Sequence, residues 1–406
     1  MTRKYLMSLY VFFNFSCAIY FGVIGKLGGD FKYESSSNVV TLVLSLMIVL
    51  FTFALIQGVI FNLFEKIPIK NNGRHVNKSA LDWIMLIVVS FGIYSALIYK
   101  VGVLGVSKDV SEDAPKIIFY LNTIFQPALL VLIYLFYRYK SKYYIFYLNL
   151  LAYLILLLLS GQTGQLLLLL CLYFMRKPDK TSSLKLLLIT LVGVGFYPFI
   201  RMLKDAIVQL VNNSGEWSGT FSTFLDGITI ESYFSYLFIT LERFQMVSNI
   251  HYLIDNGQTL GSAFQLQGMS DSFFSLFWIF SALARLLDID VGDVVSAQDF
   301  FAYSINGIPT WSSQISMLGY FYFYGFLAGI IIAFILLLLF IAIRVSKYLS
   351  IDKEVTNLTW ALSLLLICHG WFVPFMNYVQ CLVCFSLIVM VFNIGNTKSL
   401  LYKRLS

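Results

Sequence analysis

Residues 156–170 read LLLLSGQTGQLLLLL, two runs of leucine separated by polar and glycine residues. In water such a stretch is an aggregation hazard, whereas in a lipid bilayer it forms the tip of a helical hairpin. The composition favours the bilayer, because 59% of the 406 residues are hydrophobic and 12% are charged. A soluble chain has about a quarter of its residues charged. With a mean hydropathy of +0.80, the sequence predicts a polytopic membrane protein.

A transmembrane helix needs roughly 20 predominantly apolar residues. The chain has ten candidate segments, of which the sixth is short: 5–24, 39–64, 83–99, 117–137, 143–160, 165–175, 184–200, 318–343, 356–374 and 378–395. The prediction is therefore an all-α, polytopic membrane helical bundle of about ten transmembrane helices.

The distribution of basic residues predicts the orientation. If the N-terminus is cytoplasmic, 19 of the 28 Lys and Arg residues fall in cytoplasmic segments, as the positive-inside rule requires. Both termini are then predicted to be cytoplasmic. Because the net charge of +7 follows this topology, it is not a signal for nucleic-acid binding.

The same rule explains the broken leucine run. Basic clusters at 138–142 and 176–180 flank it, so the chain must cross outward and return between them. Gly161 and Gly164 supply the backbone freedom that the turn needs. Two interpretations stay open: a simple hairpin turn, or a polar floor beneath an outward-facing cleft, since irregular backbone at that depth must be buried in protein or line a wet cavity.

Residues 201–317 contain no convincing transmembrane segment, yet they are rich in Phe, Tyr, Trp and Leu. We expect helices that lie on the outer membrane face and pack over the bundle. The sequence thus divides into three regions: a bundle of seven spans at 1–200 that includes the short hairpin 143–175, a large outer loop at 201–317, and three spans at 318–406.

The outer loop has eleven acidic residues and only four basic ones, Arg201, Lys204, Arg243 and Arg285. Positive charge on this side opposes the topology rule, so each cation needs a reason. One reason is local pairing, as between the neighbours Glu242 and Arg243. The other is an anionic ligand, because a guanidinium group binds phosphate in a bidentate manner.

Arg201 is the strongest of these candidates, because it ends an apolar span in FYPFIRMLKD and lies at headgroup depth. Lys204 follows at i+3, on the same face of a continuing helix. Two cations there are well placed to bind a diphosphate whose lipid tail lies in the membrane. A snorkelling cation without a ligand has the same sequence pattern.

His369, in ICHGW, lies in the outer half of the ninth candidate span. An ionisable residue inside a membrane is a functional candidate; the alternative is a core histidine whose hydrogen bonds are satisfied. The chain has no GxGxxG, Walker, HExxH or GxSxG motif. Nucleotide binding and serine or zinc hydrolysis therefore have no support, and we expect no metal and no cofactor.

Taken together, this layout resembles the Wzy-type O-antigen and polysaccharide repeat-unit polymerases. SGQTGQLLLLL is similar to the family's glycine-containing junction before a leucine-rich span, and FYPFIRMLKD to its arginine just outside the membrane. The segment TWSSQISMLGYFYFYGFLAGI (310–330) resembles the entry into the span after the loop. One departure is Thr163, which stands where many relatives carry an arginine.

The resemblance implies a GT-C-like, metal-independent glycosyltransferase with a periplasmic loop, in the bacterial inner membrane. It would move a growing glycan from undecaprenyl diphosphate onto the next lipid-linked repeat unit. Such chemistry needs cations that neutralise the leaving diphosphate and a base that takes the acceptor proton. For the diphosphate we expect Arg201, Lys204, Arg243 and Arg285. For the base we expect Glu242, followed by Asp205, Asp226 and His369.

Other aromatic residues of the outer loop are candidates to stack on sugar rings or to anchor the loop at the interface: Trp217, Phe221, Tyr233 and Trp311. The expected partners are lipid-linked oligosaccharides, membrane lipids and a chain-length regulator protein, with no nucleic acid. An O-antigen ligase is the nearest alternative, but ligases carry a histidine in the region where this chain has Ser312, Ser313 and Gln314. A flippase is the other alternative, and transporters usually place charges at mid-membrane, where these spans have almost none.

Overall fold

The computed structural model describes residues 2–31, 34–36, 38–69, 77–103, 114–166, 168–170, 172, 183–212, 227–242, 245–269, 273–287, 295–307, 312–350 and 352–392. These residues are mainly helical, and the β pairing they contain is one bridge between Lys26 and Ser35. The helices are α1 Thr2–Ile24, α2 Val39–Lys66, α3 Lys78–Tyr99, α4 Lys116–Phe125, α5 Pro127–Tyr137, α6 Tyr144–Leu159, α7 Ser183–Asn212, α8 Ile230–Glu242, α9 Val247–Leu266, α10 Trp278–Leu286, α11 Ala297–Asn306, α12 Ser316–Tyr324, α13 Leu327–Leu349, α14 Glu354–Ile367 and α15 Phe372–Val391.

Among the described residues, seven helical segments are long and apolar enough to cross a membrane: Arg3–Ile24, Val39–Lys66, Lys78–Tyr99, Lys116–Tyr137, Leu184–Ile207, Leu327–Leu349 and Phe372–Val391. Two shorter apolar helices, α6 and α14, stand where further spans were predicted. The prediction of an all-helical chain is therefore confirmed for the described residues, and their apolar helices are consistent with a helical membrane protein. The count of ten spans remains a prediction, because residues 165–175 lie partly outside the described residues.

Several segments predicted to be cytoplasmic meet at one end of the bundle. Arg3 at the start of α1 pairs with Glu65 at the end of α2, with 2.7 Å between Nη1 and Oε2. Lys347 near the end of α13 donates to Glu65 O at 2.6 Å. Tyr139 after α5 donates to Asp352 before α14 at 3.1 Å. We call this end the basic end and the opposite one the outer end; which compartment each faces stays a prediction.

A buried ion pair fixes three helices near the basic end. Arg138 at the end of α5 donates to both carboxylate oxygens of Asp82 on α3 at 2.9 Å, and the two side chains are 7% and 2% exposed. Tyr134 also donates to Asp82 Oδ1, at 2.8 Å. From α6, Asn149 Nδ2 donates to Asp82 O. Burial of the pair is tolerated because each carboxylate oxygen has a donor.

The polar break in the leucine run forms a turn after α6. Gly161 has a φ of +70°, in the left-handed region that a residue without Cβ adopts at no steric cost. Tyr153 donates to Gln165 Oε1 at 2.5 Å, and Gln165 Nε2 donates to Gln162 Oε1 at 2.6 Å. Gln165 thus links Gln162 to a tyrosine of α6, whereas the buried Ser160 Oγ has no partner among the described residues.

The predicted span at 318–343 is two helices, and its boundary prediction was wrong. Gly325 has a φ of +50° and separates α12 from α13. Gln265 Nε2 donates to Tyr322 O at 3.0 Å and to Phe323 O at 3.3 Å. A side chain from α9 thereby replaces helical donors that the end of α12 lacks. The helix here that is long and apolar enough to cross a membrane is Leu327–Leu349.

The boundary between the predicted spans 356–374 and 378–395 was also placed too late in the chain. The helix α14 ends at Ile367 and α15 begins at Phe372, so the break is at 368–371. Gly370, within it, has a φ of +79°. Pro374 falls in the first turn of α15, where the missing N–H of proline costs no helical hydrogen bond.

The outer region forms the expected helices, but one of them is inserted rather than laid over the bundle. The helix α9 packs against α2 and contacts α1. Met246, just before α9, donates its N–H to Oδ1 of Asn14 at 2.8 Å, and Asn14 is fully buried midway along α1. The predicted 184–200 span also continues, as α7 reaches Asn212, so the predicted region boundary at 200/201 lies inside a helix.

Candidate functional site

The α7–α8 cluster consists of Arg201, Lys204 and Asp205 on α7 and Tyr233 and Tyr236 on α8. The Arg201 guanidinium carbon lies 5.8 Å from the centre of the Tyr236 ring, within the range of a cation–π contact. The Tyr236 hydroxyl donates to Asp205 Oδ2 at 2.7 Å. One tyrosine therefore contacts a cation and a carboxylate that are separated by one turn of α7.

This cluster lies toward the outer end of the bundle. Tyr5 in the first turns of α1 is hydrogen-bonded to Thr190 near the start of α7, with 2.7 Å between the oxygens. The start of α7 is therefore near the basic end. Arg201 follows Thr190 by eleven residues, which is about 17 Å along a helix. Arg201 thus lies near the far end of the apolar Leu184–Ile207 segment, as the sequence predicted.

Aromatic packing holds α8 along α7. The Tyr233 hydroxyl donates to Gly195 O at 2.7 Å, and its ring centroid is 5.2 Å from that of Phe199. Tyr233, a predicted candidate for sugar stacking, is engaged in this helix–helix contact. The contact aligns α8 so that Tyr236, one turn further on, reaches Asp205.

The environment of Tyr236 determines what the cluster does chemically. Burial, followed by the hydrogen bond to Asp205, raises the pKa of Tyr236 to about 12, and the nearby Arg201 opposes that rise. Tyr236 is therefore a neutral donor at physiological pH. Asp205, one of the predicted bases, already accepts this hydrogen bond, whereas Arg201 presents a fixed positive charge beside the ring.

A second group of polar contacts, which we call the outer junction, forms where residues 312–316 meet the break at 368–371. Ser316 N donates to His369 O at 3.1 Å. Gly370 O accepts from Gln298 Nε2 at 2.7 Å and from the Tyr320 hydroxyl at 3.1 Å. A Cβ on Gly370 would lie 2.7 Å from both the N and the O of Ser316. This close approach requires glycine.

Two carboxylates flank the adjacent serines of the outer junction. Ser313 donates to Asp30 Oδ2 at 3.0 Å, and Ser312 donates to Asp299 Oδ1 at 2.7 Å. Asn249 of α9 donates to Ser313 Oγ at 3.3 Å. Segments from four parts of the chain therefore place serines, an amide and two carboxylates together at the outer end.

The two buried histidines of the described residues have ring nitrogens without hydrogen-bond partners. His369 is 3% exposed; its ring centroid is 5.7 Å from that of Tyr10, and its Nε2 has no partner among the described residues. Nδ1 of His251 lies 3.2 Å from Asp255 Oδ2, but neither ring nitrogen has hydrogen-bond geometry. The side chain of His369 is thus not the fully satisfied core histidine of the alternative interpretation.

The structure therefore divides the predicted site residues into groups. The α7–α8 cluster contains Arg201, Lys204 and Asp205, whereas His369 belongs to the outer junction. The side chains of Glu242 and Arg285, and the whole of Asp226, Arg243, Trp217, Phe221 and Trp311, lie outside the described residues. A 3₁₀ turn at Gly29–Phe31 contacts both α8 and α9 and so connects the cluster with the helix that carries Asn249.

Residues of these groups that the sequence did not single out as site residues include Tyr236, Asn249, Gln298, Asp30 and Asp299. The first three are uncharged, so the topology argument that found Arg201 does not apply to them. The sequence carries no signal for Asn249 on α9 or Gln298 on α11, because both helices contain several other polar residues, and only the structure shows that these two side chains are buried.

No protein-family model, curated protein or solved structure matches this chain. The fold defines the class, a helical protein whose described residues include seven segments able by length and composition to cross a membrane. Any narrower function must therefore be argued from the residues and their contacts.

Proposed function

We propose that this chain is a Wzy-type polymerase, a glycosyltransferase of the bacterial inner membrane with both termini cytoplasmic. It transfers a growing glycan from undecaprenyl diphosphate to the next lipid-linked repeat unit of an O-antigen or capsule at the periplasmic face. The proposal rests on the α7–α8 cluster, where Arg201 is held at the outer end of an apolar helix, over the Tyr236 ring and close in sequence to Lys204.

The placement of Arg201 suits a lipid-linked diphosphate. A polyprenyl chain lies in the hydrocarbon region while its diphosphate remains at the headgroup level, which is where α7 leaves its apolar stretch. A guanidinium group binds two phosphate oxygens at once. Tyr236 contacts both Arg201 and Asp205, which lie one turn apart on α7. The arginine is therefore oriented before the substrate arrives, and less ordering entropy is lost on binding.

In the reaction, an acceptor hydroxyl attacks the anomeric carbon of the donor sugar and forms the new glycosidic bond. The bond between that carbon and the diphosphate oxygen breaks, and the bonding electrons leave with the diphosphate. Arg201 and Lys204 stabilise the negative charge that develops there. A general base takes the hydroxyl proton.

Glu242, at the end of α8, is our first candidate for the base. Asp205 is less available because it accepts the Tyr236 hydroxyl. His369, whose Nε2 has no partner among the described residues, is the next candidate. Asp30 and Asp299 each accept a serine hydroxyl and therefore rank with Asp205.

Deletion of the gene, followed by gel analysis of the surface glycan, tests the proposal. A polymerase deletion leaves lipid A-core with one repeat unit, whereas a ligase deletion leaves core alone and accumulates lipid-linked polymer. Complementation with Arg201→Ala should reproduce the polymerase phenotype, with the variant present in the membrane at the wild-type amount. Arg201→Lys should restore part of the ladder, because lysine keeps the charge but lacks the planar bidentate donor.

Lys185→Ala is the matched control, because Lys185 is an exposed cation at the opposite end of the same helix. This variant should give a normal ladder. If Arg201→Ala also gives a normal ladder, Arg201 is not in the site. If the deletion strain keeps its polymer, or shows the ligase pattern, the assignment as a polymerase is wrong.

A further inference from the structure

An open groove of about 550 Å³ lies at the basic end, between the last turns of α2 and the residues just before α14. Val59 and Leu63 of α2 form its apolar part and are 50% and 56% exposed. Lys66, the last residue of α2, and Lys353 lie at its polar part, and both are exposed. The groove therefore combines an apolar surface with two cations.

The groups near the groove that would repel an anion are already paired. The Glu65 carboxylate also lines the groove, but Arg3 donates to both of its oxygens, at 2.7 and 3.1 Å. The carbonyl end of a helix repels anions, yet Glu65 O at the end of α2 accepts from Lys347 Nζ at 2.6 Å. Lys353 Nζ itself lies 4.0 Å from Glu65 Oε1. The single Glu65 carboxylate is therefore outnumbered by Arg3, Lys353 and Lys66, and the groove keeps a net positive charge.

The length of α2 places the groove at the level of the lipid headgroups. The 28 residues of α2 extend about 42 Å, whereas the hydrocarbon core of a bilayer is about 30 Å thick. Gly58 lies about 28 Å along the helix from Val39, close to the edge of that core. Val59 and Leu63 therefore lie at the border of the hydrocarbon, and Lys66 lies beyond it among the phosphates.

We propose that this groove is a binding site for an anionic phospholipid at the basic end of the bundle. The lipid phosphate lies between Lys66 and Lys353, and the start of the acyl chains covers Val59 and Leu63. A zwitterionic lipid fits less well, because its ammonium group needs a carboxylate and Glu65 is engaged by Arg3. Basic pockets of this kind at the ends of membrane helices bind anionic headgroups.

Native mass spectrometry of the full chain in detergent tests this site with three added probes: palmitoyl-oleoyl phosphatidylglycerol, the matching phosphatidylcholine and inorganic phosphate. We expect one tightly retained phosphatidylglycerol, weaker retention of phosphatidylcholine, and no displacement of the bound lipid by inorganic phosphate at equal concentration. A lysine close to an anionic lipid surface contributes about fivefold in affinity, so the K66Q/K353Q double variant should bind phosphatidylglycerol about 25-fold more weakly.

Gly58→Trp tests the shape of the groove without changing its charge. A Cβ on Gly58 has no atom within 4 Å, so the new side chain projects into open space and should displace the lipid. Lys78→Gln, at an exposed lysine at the start of α3, is the matched control and should bind like the wild type.

Equal retention of the two lipids by the wild type would overturn the proposal, and so would unchanged phosphatidylglycerol binding in the double lysine variant. Displacement by inorganic phosphate would show an anion site that does not recognise a lipid. Because both lysines are exposed, the double variant decides the question even if Gly58→Trp does not fold. The site is at the opposite end from Arg201, so failure here leaves the proposed sugar transfer untouched.

Discussion

Replacement of Gly370 by alanine perturbs the outer junction at its closest approach. Alanine at a φ of +79° costs about 1–3 kcal/mol. Its Cβ would lie 2.7 Å from the backbone of Ser316, so the 312–316 segment must move away. That movement breaks the hydrogen bond that Ser316 N donates to His369 O, at about 0.5–1.5 kcal/mol. We therefore expect a destabilisation of about 1.5–4.5 kcal/mol.

Thermal unfolding of the purified full chain, followed by fluorescence-detected size-exclusion chromatography, measures the loss as a fall of several degrees in Tm. A local readout is the rate of maleimide labelling of Cys368, which is 3% exposed beside the junction. With the other four cysteines replaced by alanine, Gly370→Ala should accelerate this labelling.

Gly329→Ala is the matched control for Gly370→Ala. Gly329 is an exposed residue in the first turn of α13, and a Cβ there has no atom within 4 Å. Alanine is also the better helix former, so this control should have an unchanged or higher Tm. If Gly370→Ala matches the wild type in both Tm and labelling rate, the contact between residues 312–316 and the break at 368–371 does not stabilise the fold.

Asp82→Ala leaves the buried Arg138 guanidinium without its partner and should cost about 3–5 kcal/mol. Asp352→Ala removes an exposed ion pair, for which the median cost is about 0–1 kcal/mol; equal Tm values for the two variants would refute this contrast. Ser363→Ala removes the acceptor that Gln57 Nε2 uses at 2.8 Å. It leaves a buried amide without that bond, at about 1–3 kcal/mol. Gln57→Leu, which removes the amide itself, should be milder in the same melting assay, and the reverse order would contradict the argument.

The crossing helices were predictable because hydrocarbon admits no unsatisfied backbone, so a long apolar segment must be helical whatever its neighbours are. This reasoning located α1, α2 and α3 from local sequence alone. It failed at helix breaks inside apolar sequence. The residues on both sides of Gly325 and Gly370 are equally hydrophobic, and the donors that replace the lost helical bonds come from distant positions such as Gln265 and Gln298.

The candidate site was predictable only where a basic residue lay on the predicted outer side, against the positive-inside rule. Arg201 was found because a cation on the outer side needs a reason, and the structure places it beside Tyr236. No such signal marks Tyr236, Asn249 or Gln298, because neutral polar residues occur on helix surfaces of every kind. Their role depends on which helix packs against them.

The sequence by itself therefore determined the all-helical architecture and most of the segments long and apolar enough to cross a membrane, because these depend on the transfer free energy of each residue. Only the tertiary structure decided where helices break, that α9 packs against α2 and contacts α1, and which polar side chains meet at the outer end. Those outcomes depend on hydrogen bonds between residues far apart in the chain, such as Asn249 with Ser313 and Asn14 with Met246, whose partners no local pattern specifies.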